Sequence, residues 1–150
     1  MRLITWLAVA QFALTGVAHA ASTTTGLWWT EDRHGVVKIS PCDEGLCGHL
    51  VGLIEPNDDK GQPKRDTHGN PECGLQIMHA HKADDPGEWE GIITDPRAGT
   101  DWNLHLTYNA DGSLHLRGYV LLPLLGKSQE WMPFQGGVTK ACAIQATSSK

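Results

Sequence analysis

The chain has 150 residues, with 12 Lys and Arg against 17 Asp and Glu, and a net charge of −5 with no basic stripe. That balance excludes an electrostatic footprint for nucleic acid or for an anionic membrane surface. The length suits one domain with one core, and four cysteines, an even number, suit an oxidised, exported chain.

Arg2, the uncharged apolar stretch Leu3–Val17 and the small-x-small triplet Ala18-His19-Ala20 predict a secretory signal peptide over residues 1–20. The mature domain is then 21–150, periplasmic or secreted. The apolar stretch falls short of the roughly 20 residues a bilayer requires, and no later stretch is longer, so no transmembrane segment is expected.

After a polar leader at Ser22–Thr25, short β-like runs alternate with turn signals. Gly26–Thr30 reads as a first strand, Glu31–Gly35 as a turn, and Val36–Ser40 as a second strand that Pro41 ends. Gly48–Ile54 follows the Cys42–Cys47 segment. Glu55–Cys73 then breaks the cadence, being rich in Pro, Gly, Asp and Asn and long for a connection. A loop of this kind either carries function or closes on itself as an omega loop.

The cadence resumes with Leu75–His81, Glu88–Thr94, Asp101–Tyr108, Ser113–Val120 and Lys127–Phe134. The tail Gly136–Lys150 reads as a short helix or a loose strand. One hairpin can be read in register. Asn109 and Gly112 fit a type I turn with a Gly bulge, which sets Tyr108 opposite Leu114, Leu106 opposite Leu116 and Leu104 opposite Gly118. Those residues and Trp102 share one face. Asn103, His105, Thr107, His115, Arg117 and Tyr119 share the other.

These elements predict an all-β fold, a small up-and-down antiparallel β-barrel of about eight strands whose interior holds side chains or one small ligand. A β-sandwich competes, but it needs long crossovers that only the 55–73 loop could supply.

The ordered set Gly26-Leu27-Trp28, Val37-Lys38-Ile39, Leu46-Cys47-Gly48, Asp66…Asn70-Pro71, Trp89-Glu90-Gly91-Ile92-Ile93 with Asp95-Pro96, Leu114–Tyr119, Leu124-Leu125-Gly126 and Gln129-Glu130-Trp131 resembles the bacterial domain-of-unknown-function family DUF2147. The resemblance implies an exported, periplasmic protein with a calycin-like barrel, akin to lipocalins and fatty-acid-binding proteins. Gly26-Leu27-Trp28 is also similar to the opening signature of lipocalins. The chain departs from the family pattern at Val120-Leu121-Leu122 and at Met132-Pro133, where a small and a basic residue are usual.

Candidate ligand-binding residues are the aromatics Trp28, Trp89, Trp102, Tyr108, Tyr119 and Trp131, which would line a lumen or fill it. Cys42, Cys47, Cys73 and Cys142 are expected in disulfides. Of three pairings, Cys42 with Cys47 would pin a hairpin tip, and Cys73 with Cys142 would tie the mid-chain loop to the tail. Cys-x4-Cys is a poor zinc pattern. His79 and His81 share a strand face and His105 and His115 are diagonal neighbours, but no third ligand or orienting carboxylate can be named, so no metal is assigned. No Gly-x-Ser-x-Gly elbow, His-Glu-x-x-His motif or phosphate loop is present, so neither catalysis nor a cofactor is expected. The leading reading is a periplasmic carrier or sensor of a small apolar or amphipathic ligand. The alternatives are a cell-envelope interaction module acting through the 55–73 loop, with no protein partner named, and, third, a metal-handling protein using His79 and His81.

Overall fold

Eight antiparallel strands form one continuous ladder in chain order. They are β1 (Gly26–Trp29), β2 (Gly35–Cys42), β3 (Gly45–Leu53), β4 (Gln76–Lys82), β5 (Glu88–Asp95), β6 (Thr100–Tyr108), β7 (Leu114–Tyr119) and β8 (Lys127–Pro133). β8 returns to β1, so the sheet closes into a barrel. The computed structural model describes residues 23–43 and 45–145. The expected signal peptide at residues 1–20 lies outside them. Among the described residues, no helix is long and apolar enough to cross a membrane.

Alternation along each strand builds the interior. In β6 and β7 the pairs Tyr108↔Leu114, Leu106↔Leu116 and Leu104↔Gly118 match the register expected from the turn. The Asn109 N–H donates to Ser113 O at 2.9 Å, the Gly112 N–H donates to Asn109 O at 3.0 Å, and Gly112 has φ 87°. Only a residue without a Cβ enters that conformation at low cost. Leu104, Leu106, Leu114 and Leu116 are buried with Trp28, Val37, Ile39, Met78 and Trp131.

Two local expectations change, and the open reading of the tail is decided for strand. β2 runs through Pro41, which pairs with Leu46, because Pro41 sits beside the hairpin end where a missing N–H is tolerated. β3 starts at Gly45 rather than Gly48, since the Cys42–Cys47 bond holds the hairpin paired to its tip. The tail is a two-stranded ribbon, β9 (Gly137–Val138) with β10 (Ile144–Gln145), and residues 146–150 lie outside the described region.

The second disulfide, Cys73–Cys142, ties the end of the 55–73 loop to this ribbon. The Leu53 N–H donates to Cys142 O at 2.7 Å beside it. The loop itself folds through two tight turns bridged at Asn57↔Pro63 and Arg65↔Pro71, so its polar contacts are largely its own.

The two disulfides close loops of very different length, with sequence separations of 69 and 5. Replacing Cys73 and Cys142 together by Ala should lower unfolding free energy by roughly 2–4 kcal/mol, and the matching Cys42/Cys47 change by less. Urea denaturation of both variants under non-reducing conditions measures this, and an equal loss from both would contradict it.

Candidate functional site

The turn at residues 30–34, the 54–75 loop, the turn at 96–99 and the 120–126 connection all lie at one end of the barrel. Between them opens a cavity of about 360 Å³. Its floor and walls are Leu50, Leu53, Ile77, Ile93, Trp102, Leu104, Leu116 and Trp131. Its rim is polar, with Thr30, Glu31, Asp32, Glu72, Asp95, Arg97, Lys127 and Gln129. The strand pairs Leu116↔Gln129 and Gly118↔Lys127 put Gln129 and Lys127 on the inward face, where an unbroken apolar pattern would have placed hydrophobic side chains.

The opposite half is filled. Trp28 meets Tyr108 edge-on with ring centroids 6.2 Å apart, and its indole N–H donates to Thr24 O at 3.0 Å. Trp89 and Tyr108 pack against the same core. Of the six aromatics singled out from the sequence, Trp102 and Trp131 therefore line the cavity, while Trp28, Trp89 and Tyr108 pack the closed half. Tyr119 reaches neither, because it alternates with Gly118 and shares the outward face with Arg117 and His115. The Trp131 indole N–H donates to Gln129 Oε1 at 2.8 Å, which fixes the ring at the cavity wall.

Rim carboxylates mostly serve turns. Asp95 Oδ1 accepts the N–H groups of Arg97 and Ala98 at 2.9 and 3.2 Å. Asp32 accepts from the Thr30 hydroxyl at 2.7 Å and the His34 N–H at 3.1 Å, and Arg97 Nη1 stands 3.9 Å from it across the mouth. Partial desolvation raises the Asp32 carboxyl, but these donors, with His34 and Arg97 beside it, outweigh that and hold it below its ordinary value.

The strand face of His79 and His81 is exposed and outward. Cys42, Cys47 and His79 bring their ligand atoms within 4.8 Å of one another, but both sulfurs are bonded to each other and offer no thiolate. His105 and His115 do have carboxylate partners that the sequence did not name. His105 Nε2 lies 2.7 Å from Glu88 Oε2, and His115 Nδ1 meets Glu130 Oε1. Both are cross-strand contacts on the outer face, and each engages one histidine separately.

The family profile described as "Uncharacterized protein conserved in bacteria (DUF2147)" matches residues 26–132. The chain belongs to this family. Protein HP1028 from the human pathogen Helicobacter pylori, described as belonging to the lipocalin family, has a similar fold. Its TM-score is 0.57 at 12% sequence identity, over 74% of this chain and 82% of that one. No curated protein matches the chain at the sequence level. At that identity the likeness is one of fold, and the DUF2147 chain has a lipocalin-like barrel.

At the mouth the 55–73 loop is shaped by Asp66. Its Oδ1 accepts the N–H groups of His68 and Asn70 at 2.9 and 2.7 Å, and its Oδ2 accepts the Asn70 amide at 3.1 Å. Desolvation raises the Asp66 carboxyl, but these donors and nearby His68 hold it below the ordinary carboxylate range. The folded pKa is thus the lower one. Its stabilisation of the loop is present above the unfolded value and is lost as pH falls through the depressed value. Amide protection at His68 and Asn70 should persist through the ordinary Asp range on acidification and collapse only below it. In Asp66→Ala it should be weak even at neutral pH. Hydrogen exchange read residue by residue tests both, and unchanged protection in the variant would refute the role.

Proposed function

We propose that the protein is a carrier or sensor, not an enzyme, that takes one small apolar or amphipathic molecule into the open half of its barrel. The observation that carries this reading is the cavity itself. Its volume falls in the range of small-molecule sites, about 300–1,000 Å³. Its walls are apolar and its polar groups gather at the entrance. An apolar body would bury against Leu104, Leu116 and Trp131 while a polar end stayed at the rim.

The non-enzymatic reading is supported by the occupations of the rim. Asp95 and Asp32 are engaged by turn donors. Two disulfides suit an oxidising compartment, which supports a periplasmic or secreted location after cleavage of the signal peptide.

Gly118 gives a direct test. A Cβ added there would meet Trp102 Cβ at 3.6 Å and Lys127 O at 3.9 Å, which is ordinary contact, and the remainder of a larger side chain would enter the cavity. Decanol titrated into the wild-type protein should bind saturably and alter the fluorescence of Trp102 and Trp131. Gly118→Phe should weaken that binding by about tenfold or more while leaving far-UV dichroism unchanged. Absent saturable binding in the wild type, or unaltered binding in a folded Gly118→Phe protein, would rule the reading out.

A further inference from the structure

Glu72 is the one charged residue buried as a whole among the described residues, at 5% exposure. A buried carboxylate ordinarily has a partner, because removing it from water is costly. Here neither oxygen has a hydrogen-bond or ion-pair partner among the described residues. Yet among the described residues no fully buried side-chain polar atom lacks a partner, so the Glu72 oxygens must face open space. The space Glu72 lines is the cavity and the crease that continues from it toward the loop.

The cations that share this crease are committed elsewhere. Lys64 Nζ pairs with Glu55 Oε2 at 3.2 Å. Arg65 Nη1 donates to Gly69 O at 2.7 Å. Arg97 faces Asp32. Nor is the backbone free to swing the acid out to solvent. The Glu72 N–H donates to Lys64 O at 2.9 Å, its carbonyl accepts the Leu75 N–H at 3.1 Å, and Cys73 is cross-linked to Cys142.

We propose that Glu72 is a ligand-recognising carboxylate, and that the molecule bound in the cavity carries a protonated amine that meets it. This rests on the ligand-binding reading above. The amine would supply the charge-assisted hydrogen bonds that the folded chain does not. The apolar remainder of the ligand would lie along Leu104, Leu116 and Trp131.

A chain-matched series separates this inference from the reading beneath it. Decylamine, decanol and decanoic acid are titrated calorimetrically at neutral pH into the wild-type protein, Glu72→Gln and Glu72→Asp. The wild type should bind decylamine about tenfold tighter than decanol. Glu72→Gln should erase that difference, and Glu72→Asp should keep part of it. An amine preference that survives in Glu72→Gln overturns the assignment of Glu72. So does decanoic acid binding tightest to the wild type, a measurement that needs no variant to fold. Decanol binding without any amine preference defeats this inference alone. Failure of all three to bind defeats the cavity reading and this inference with it.

Discussion

The architecture depends on a short seam. β1 is four residues long and meets β8 through Trp28↔Pro133 and Trp29↔Met132, extended by the Phe134 N–H donating to Leu27 O at 2.8 Å. Without it the sheet would have two unpaired edges and no interior. Aromatic contacts on both sides reinforce these few backbone bonds. Trp28 points inward against Tyr108, and Trp29 packs edge-on against Phe134 with centroids 5.0 Å apart. Each such pair contributes on the order of 1 kcal/mol beyond its buried area. In this chain ring packing therefore stands beside the few backbone bonds that close the barrel.

Once the barrel is closed, side-chain volume decides which half is open. Trp28, Trp89, Leu106 and Tyr108 crowd the half reached first by β1. Toward the other end the inward positions of β7 and β8 become Gly118, Lys127 and Gln129, and β2 begins with Gly35. Small and hydrophilic residues cannot complete an apolar plug there. The result is neither a filled barrel nor an empty one but a packed base under an open cup.

What could be read from the sequence was local and periodic. The β6–β7 hairpin was legible to the residue because the Asn109–Gly112 turn sets the register and alternation sorts the faces. Leu104 and Leu116 were placed on the apolar face by the same reasoning, so part of the cavity wall was visible in advance. Irregularities were not visible, such as the register shifts at Val36/Val37 and Gly48/His49, because a bulge is specified by neighbouring strands. Pro41 misled because proline argues against a central strand but not against a hairpin end. Glu72 gave no signal at all. It lies in a polar loop, and its burial arises only when the loop is pulled over the barrel mouth.

That pull has a chemical origin one residue away. Cys73 follows Glu72 directly, so the covalent bond anchoring the loop also limits where the carboxylate can go. Thiols join only where electron acceptors outcompete the reducing buffers of the cytosol. The polar end of the cavity is accordingly set by redox as much as by shape: a newly made chain with free thiols has the residues of the cup but not the tether that positions its acid.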